Sequence, residues 1–336
     1  MSAARIFPSS PARRRCLSAL VALAMSIAIA PGPADAQSEW PNRTIRIIVP
    51  FGPGGASDIL ARLIAKELTE KLKQPVIVEN KPGAGGTVGA DLVAKSAPDG
   101  YTLLLADSSV VMTFPWLYPK LPYAPKDLVP VANIATFGLI LIAPANSKYN
   151  TLTEIVAADK AAPGKLNMAS PGTGSSNHLT LEKFNAVAGT KLVHIPYKGT
   201  GPAINDLVGG QVDLTLASGA ASKGLIDTGK VKAIAVTSAK RNPLLPQVPT
   251  FAESGFAGFE SIAGQGLFVA AGTPPEIVKK LNADVNAIIG MPAVQERWAQ
   301  MGIDRVENTP EQFASWLARE SEQWAKLIRA ADIKGE

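Results

Sequence analysis

Glycine, serine and threonine residues cluster at two places where a buried strand is expected to end and a helix to begin. The first is Pro50-Phe51-Gly52-Pro53-Gly54-Gly55-Ala56-Ser57-Asp58, which follows the apolar run 45–49. The second is Ser170-Pro171-Gly172-Thr173-Gly174-Ser175-Ser176-Asn177-His178, which follows a short strand from Leu166. Such a junction leaves backbone N–H groups without acceptors at the positive end of a helix dipole. The chemistry predicted from both junctions is the binding of an anion.

Two more junctions have the same form. They are Lys81-Pro82-Gly83-Ala84-Gly85-Gly86-Thr87 and Pro196-Tyr197-Lys198-Gly199-Thr200-Gly201-Pro202, with Pro202 in the first turn of a helix. Lys198 is either a charge partner for the ligand or a solvated loop lysine. No P-loop and no G-x-G-x-x-G fingerprint is present, so the turns indicate a nucleotide only weakly. Helix capping by Ser57 or Asp58, and by Ser175 or Ser176, is the plain structural alternative.

A second chemistry to weigh is hydrolysis, with Ser175 or Ser176 as the nucleophile and His178 nearby. A nucleophile elbow needs G-x-S-x-G, and the closing glycine is missing here. His178 lies two or three residues from either serine on one helical turn, where it cannot face Ser176 well. We expect His178 to buttress the turn instead, and a periplasmic serine hydrolase acting on a carboxylate ester stays as the alternative hypothesis.

Metal and cofactor chemistry find little support in the composition. The chain has two histidines, His178 and His194, and no H-x-x-x-H spacing joins them, so no metal site and no cofactor are predicted. Four aspartates could in principle pair as acid and base, but nothing in the sequence brings two of them together; they are Asp58, Asp91, Asp107 and Asp213. Without a base, a nucleophile or a metal, the anion sites predict binding rather than turnover.

The N-terminal 36 residues are predicted to be a secretory signal. Arg5 and the arginines at 13–15 precede an apolar stretch at 17–30, and Ala34-Asp35-Ala36 is an A-x-A cleavage site, so the mature chain would start at Gln37. The single cysteine, Cys16, lies inside this signal, which excludes thiolate chemistry from the mature chain. Most of the formal net charge of +5 also belongs to the signal. A role in binding nucleic acid therefore loses its electrostatic basis.

Apolar runs alternate with amphipathic stretches through the mature chain, which predicts an α/β fold with parallel sheets. Strands are predicted at 45–49, 76–79, 103–106, 139–143, 212–216, 231–236 and 267–270. Helices are predicted at 57–73, 88–96, 152–159, 176–188, 202–208, 275–289 and 310–331. The length suggests two lobes, with residues 37–137 and 259–336 in lobe 1 and residues 138–258 in lobe 2. The cleft between them is the default ligand site.

Six motifs in order resemble the substrate-binding proteins of tripartite tricarboxylate transporters, over a span from Trp40 to about Ile333. The first is Trp40-Pro41-Asn42-Arg43 leading into residues 45–58. The others are Glu79-Asn80-Lys81-Pro82-Gly83-Ala84-Gly85-Gly86, Ala97-Pro98-Asp99-Gly100-Tyr101-Thr102-Leu103-Leu104, Pro196-Tyr197-Lys198-Gly199, Asp206-Leu207-Val208-Gly209-Gly210-Gln211-Val212-Asp213 and Ala235-Val236-Thr237-Ser238.

The resemblance implies a type II periplasmic binding protein fold, two lobes with a central cleft and a hinge, in a monomer located in the periplasm. It implies no enzyme activity, a small carboxylate ligand (a di- or tricarboxylate, an aromatic acid or an amino acid), and a partner that is a membrane permease of the tripartite tricarboxylate type or a sensor kinase. The predicted ligand-binding residues are Phe51, Gly54, Gly55, Ala56, Ser57, Asp58, Gly85, Ser108, Thr173, Gly174, Ser175, Ser176, His178, Pro202, Ala203 and Ser218.

Two departures from the family pattern concern the ligand. The chain has Ala263-Gly264-Gln265 where many relatives place an aromatic residue, and Ala217-Ser218-Gly219 where many place Asp or Asn. Both changes shrink side chains beside the expected cleft. They lead us to expect a wider pocket that takes an aromatic acid or a longer dicarboxylate rather than aspartate or glutamate.

Overall fold

The computed structural model describes residues 40–303, 306–331 and 333–335, and the predicted signal peptide lies outside these residues. The fold below is that of the compact unit beginning at Arg43. Its strands are β1 (Ile45–Val49), β2 (Val76–Asn80), β3 (Thr102–Asp107), β4 (Leu128–Gly138), β5 (Ile140–Pro144), β6 (Asn167–Ser170), β7 (Val193–Pro196), β8 (Leu214–Ala217), β9 (Val231–Val236) and β10 (Ile262–Ala270).

The α-helices are α1 (Ala56–Leu72), α2 (Thr87–Ala94), α3 (Ser109–Met112), α4 (Phe114–Leu117), α5 (Leu152–Ala161), α6 (Ser176–Ala188), α7 (Thr200–Val208), α8 (Gly219–Asp227), α9 (Pro275–Ile289), α10 (Pro292–Ala299) and α11 (Pro310–Ala330). Short 3₁₀ turns cover Ala84–Gly86 and Pro125–Asp127. No helix within the described part of the chain combines the length and the apolar character that crossing a membrane requires.

Two five-stranded sheets form the centres of two lobes. The sheet of lobe 1 has the order β2-β1-β3-β10-β4, and the sheet of lobe 2 has the order β7-β6-β8-β5-β9. In each sheet one strand runs against its neighbours: β10 is antiparallel to β3 and β4, and β5 is antiparallel to β8 and β9. These are the two strands that enter directly from the other sheet. The predicted α/β class is confirmed, whereas the expectation of purely parallel sheets is wrong for β5 and β10.

The chain passes between the lobes twice, once from β4 to β5 and once from β9 to β10. Thr237 fastens these two connections together. Its hydroxyl accepts a hydrogen bond from the N–H of Leu139 (2.8 Å) and donates one to the carbonyl of Ser261 (2.6 Å). Its own N–H and C=O pair with the backbone of the same two residues. The connections are therefore held in register, while the predicted lobe boundaries after residues 137 and 258 stay a prediction.

The core of lobe 1 is built from the sheet and the inward faces of its helices. Ile45, Ile47 and Leu103 on the strands are fully buried, as are Leu60 and Ile64 on α1. Apolar residues spaced by three and four positions place this face of α1 against the sheet. The packing therefore fixes where α1 begins, and its first turn points toward the cleft.

The start of α1 differs from the sequence prediction. Its N-cap is Gly55, with no side-chain hydrogen bond to the cap, so neither Ser57 nor Asp58 caps the helix. Asp58 instead lies in the first turn, and its carboxylate accepts a hydrogen bond from the N–H of Gly54 at 3.1 Å. At α6 the prediction is confirmed, because Ser175 is the N-cap and its side chain accepts from the N–H of His178.

Candidate functional site

A narrow cavity lies between the lobes, where residues of both face each other. Lobe 1 contributes Phe51, Gly52, Gly55, Ala56, Ser57, Asp58, Asp107, Phe137, Ala263 and Gln265. Lobe 2 contributes Leu139, Pro171, Ser175, Asn177, Thr200 and Ser218. None of these lining residues is a lysine, an arginine or a histidine.

Four helices begin at this cavity. Gly55 precedes α1, Ser175 caps α6, Thr200 is the first residue of α7, and Ser218 caps α8. The first N–H groups of a helix have no intrahelical acceptor, and the helix dipole adds partial positive charge at the same end. Four such ends direct unpaired N–H groups and partial positive charge at one cavity, whose wall has no cationic side chain.

On the side of lobe 1, Asp58 is paired rather than free to repel an anion. Arg62 donates to its Oδ1 at 2.8 Å and Asn80 to the same oxygen at 3.0 Å, while the N–H of Gly54 reaches Oδ2. Burial raises the pKa of Asp58, but these hydrogen bonds outweigh it and hold the pKa below its ordinary value. The carboxylate thus braces the glycine turn and is neutralised by Arg62.

On the side of lobe 2, the turn before α6 is held by its own side chains. The Ser175 hydroxyl donates to the carbonyl of Gly172 at 2.7 Å, and Nδ1 of His178 accepts from the N–H of Gly174 at 3.1 Å. The expectation that His178 buttresses the turn is confirmed. Because Nδ1 already accepts from Gly174, His178 is not placed to take a proton from Ser175 or Ser176.

The two histidines of the chain stack behind this turn. The ring centroids of His178 and His194 are 3.9 Å apart, with an angle of 26° between the ring planes. Burial, and then the neighbouring His194, lower the pKa of His178 to about 3, and burial lowers the pKa of His194 to about 4. His194 Nε2 lies 2.6 Å from the hydroxyl of Ser170, at the end of β6. Both rings are therefore neutral near pH 7 and support the turn as hydrogen-bonding groups.

The floor of the cavity carries a polar network that joins the lobes. The Ser57 hydroxyl donates to Oε1 of Gln265 at 2.6 Å. Asp107 at the end of β3 accepts from the N–H of Ser109 (2.9 Å) and from the hydroxyl of Ser176 in lobe 2 (2.8 Å). Burial raises the pKa of Asp107, although these donors oppose the shift.

Further contacts show that the two lobes are closed on each other. The N–H of Gly52 donates to the carbonyl of Lys198 at 2.8 Å, and the hydroxyl of Tyr118 donates to the carbonyl of Thr173 at 3.0 Å. At Gly172 (φ +148°) a Cβ atom would lie 2.9 Å from the Cα of Gly85. Glycine is thus required where the two turns touch, since any side chain would hold the lobes apart.

The cavity collects part of the predicted set. Phe51, Gly55, Ala56, Ser57, Asp58, Ser175 and Ser218 line it, and Gly85 and Thr173 line an adjoining groove beyond Phe51 and Pro171. Ser176 reaches the floor through Asp107, and Gly174 and His178 lie behind the turn. The structure does not bring the remaining predicted residues to the cavity wall; these are Gly54, Ser108, Pro202 and Ala203. Ala203 belongs to the core of lobe 2.

Asp107, Asn177 and Gln265 line the cavity without having been predicted as ligand residues. A glutamine inside the apolar strand 262–270 and an aspartate ending the strand 102–107 were the available signals. The expectation that Gly264 widens the pocket is wrong, because a Cβ there would lie 2.6 Å from the ring of Trp316, which fills that space. Ala217 is fully buried and does not line the cavity either. In the described ranges no group of three or more His, Cys, Asp or Glu side chains could hold a metal ion.

Comparison with known proteins places this geometry in a family. The sequence profile described as tripartite tricarboxylate transporter family receptor matches residues 60–333. Among solved structures, the periplasmic binding protein BugD is 37% identical, with a TM-score of 0.84 over 88% of this chain and 100% of that chain.

Two related structures were solved with a ligand. A protein of R. palustris with adipate is 33% identical, with a TM-score of 0.85 over 88% of this chain and 99% of that chain. MatC from Rhodopseudomonas palustris with bound malate is 35% identical, with a TM-score of 0.82 over 86% of this chain and 100% of that chain. Together with BugD they confirm the two-lobe type II periplasmic binding fold.

Proposed function

This chain belongs to the family of tripartite tricarboxylate transporter receptors, and we propose that it captures a small carboxylate in the periplasm and delivers it to a permease of that transporter type. The family is one of receptors, and its solved relative BugD is a periplasmic binding protein. The protein is therefore a binding protein and not an enzyme, and the serine hydrolase hypothesis is set aside.

The observation that carries the proposal is the convergence of four helix starts on one cavity that has no cationic side chain in its wall. Backbone N–H groups at the start of a helix bind anions, and a hydrogen bond from such a group to a carboxylate is stronger than one between neutral groups. Two related proteins were solved with the carboxylates adipate and malate. These relatives support the ligand class for this chain.

Closure would be the step that holds the ligand. The contacts Gly52–Lys198, Tyr118–Thr173 and Asp107–Ser176 each join the two lobes and can form only when the cleft is shut. A ligand that touches helix starts of both lobes binds the shut form better than the open form and shifts the population toward it. The permease would then recognise the shut form.

A calorimetric titration with mono-, di- and tricarboxylates tests the proposal, together with a variant that places a negative charge in the cavity. We expect at least one acid to bind at a ratio of one per chain. Ala56→Glu should abolish this binding because Ala56 lines the cavity. Ala293→Glu adds the same charge at an exposed position of α10 and should bind like the unchanged protein.

If no carboxylate binds, or if Ala56→Glu binds as tightly as Ala293→Glu, the cavity between the lobes is not a carboxylate site.

A further inference from the structure

Asp107 and Gln265 form a matched pair on the cavity floor. They face each other across the antiparallel pairing of β3 and β10, so their side chains project from the same face of the sheet. Opposed residues in such a pairing have Cβ atoms about 4.5–5.5 Å apart. Both side chains line the cavity, and Asp107 is 6% and Gln265 3% exposed. A ligand group seated there can reach both at once.

Gln265 offers hydrogen-bond donors to the cavity. Its Oε1 accepts from the hydroxyl of Ser57, which fixes the orientation of the amide and turns Nε2 away from Ser57. No residue in the described part of the chain accepts a hydrogen bond from this Nε2. Ser57 lies in the first turn of α1, so the amide N–H groups stand beside the N–H groups that begin this helix. These donors together make a seat for one carboxylate.

Asp107 offers a hydrogen-bond acceptor next to this carboxylate site. The N–H of Ser109 (2.9 Å) and the hydroxyl of Ser176 (2.8 Å) both donate to Oδ1. The hydroxyl of Ser109 and the N–H of Ser176 also lower the pKa of this carboxyl group, but neither forms a hydrogen bond within 3.5 Å, so Oδ2 has room for a closer donor from a ligand. A buried carboxylate oxygen without a close donor costs free energy. A ligand with a hydrogen-bond donor near this oxygen forms a hydrogen bond to it and binds more tightly. A ligand without such a donor buries the oxygen unpaired and binds more weakly.

We propose that Asp107 and Gln265 select carboxylates that carry a hydroxyl or an ammonium group on the carbon next to the carboxylate. The carboxylate lies on the helix start of α1 and on Nε2 of Gln265, and the neighbouring substituent donates to Oδ2 of Asp107. This inference rests on the proposed function and narrows its ligand class. It replaces the expectation of an aromatic acid or a longer dicarboxylate, which depended on space beside Gly264 and Ala217; Trp316 fills the first, and Ala217 is fully buried away from the cavity.

The test is a calorimetric titration of the unchanged protein with acids that differ in one substituent. Three series keep the carbon chain constant: propionate, lactate and alanine; succinate, malate and aspartate; glutarate, 2-hydroxyglutarate and glutamate. In the series that fits best, we expect the hydroxy or amino acid to bind about 10- to 100-fold tighter than the unsubstituted acid, as for one hydrogen bond to a charged group. Comparison within a series separates the hydroxyl from the ammonium group.

Two variants with side chains of the same shape test whether Asp107 and Gln265 cause the preference for substituted acids. In Asp107→Asn the amide oxygen can still accept from Ser109 and Ser176, but an NH₂ group faces the ligand, so the preference should fall to about threefold or less. Gln265→Glu replaces the donors with a negative charge and should weaken every acid. Asp227→Asn and Gln300→Glu make the same changes at exposed positions and should leave the affinities unchanged.

Several results would overturn the inference. One is an unsubstituted acid that binds within twofold of both its hydroxy and amino counterparts, and another is a preference that Asp107→Asn leaves intact. If no acid binds at all, the proposed function fails as well; if the acids bind without the preference, only this inference fails. Should a variant not fold, as circular dichroism would show, the three series on the unchanged protein decide the question.

Discussion

The stacked histidines predict a loss of stability on mild acidification. His178 is 5% exposed, and its pKa is lowered to about 3 by burial and then by His194, whereas an unfolded histidine titrates near 6.5. At a pH between these two pKa values, His178 is protonated in the unfolded chain but not in the folded chain. The free energy of unfolding must therefore fall as the pH falls below about 6.5. If the folded state raised the pKa of this histidine, the free energy of unfolding would instead increase as the pH falls.

The size of the effect follows from the two pKa values. Between pH 8 and pH 5 an unfolded histidine gains nearly one proton and His178 gains almost none, which amounts to about 2 kcal/mol. His194, whose pKa is lowered to about 4, stays mostly neutral over the same pH range and adds a similar amount. Burial raises the pKa of Glu182, whose Oε1 lies 3.6 Å from Nε2 of His178. That carboxyl group works in the opposite direction, so a comparison of variants is needed.

Urea unfolding followed by tryptophan fluorescence at pH 8, 7, 6 and 5 measures the effect. In His178→Asn the side-chain oxygen can still accept from the N–H of Gly174 but does not titrate. This variant should lose about 2 kcal/mol less than the unchanged protein over the same pH range. His194→Gln is the companion variant, since its amide can still meet the hydroxyl of Ser170. If His178→Asn loses as much stability as the unchanged protein, His178 is not the buried neutral group described here.

Three further predictions concern closure and the hinge. Tyr118→Phe removes the hydrogen bond to the Thr173 carbonyl that spans the lobes, so calorimetry should show about 2- to 10-fold weaker ligand binding, and an unchanged affinity would contradict the closure step. Gly172→Ala places a Cβ against Gly85 and should keep the lobes apart, so small-angle scattering with ligand should give a larger radius of gyration than the unchanged protein gives. Thr237→Val removes the hydroxyl that pairs with the N–H of Leu139 and with the carbonyl of Ser261. Urea unfolding should show that the free energy of unfolding falls by about 2 kcal/mol. A loss below about 0.5 kcal/mol would contradict the role of Thr237 at the crossings.

Local sequence patterns were sufficient for most of the regular elements. The apolar spacing along α1 and the glycine turns before α1 and α6 lie within short segments, so their structure was predictable from neighbouring residues. The strand β4 was missed because Pro130 and Asn133 interrupt its apolar pattern. Asn133 is tolerated there because its backbone N–H and C=O pair with the side chain of Asn308. The helix α8 was missed because Gly219 and Gly224 weaken its helical propensity.

The candidate site was predictable only where it is local. Each helix start that lines the cavity is formed by a short contiguous motif, so local patterns could predict it. Seven of the sixteen predicted ligand-binding residues line the cavity. Asp107 and Gln265 become neighbours through the pairing of β3 with β10, which no short motif encodes. The reversed directions of β5 and β10 have the same origin, since both follow from the path of the chain between the lobes. The space beside Gly264 likewise depends on Trp316, from a distant helix.

The central claim is that a small carboxylate binds between the lobes, and calorimetry of the protein tests it most directly. The account predicts one site per chain for a carboxylate, with binding lost in Ala56→Glu and kept in Ala293→Glu. A ligand at 100 times its dissociation constant should also stabilise the folded state by about 2.7 kcal/mol. Heat of binding that persists unchanged in Ala56→Glu, or no binding by any carboxylate, would contradict it.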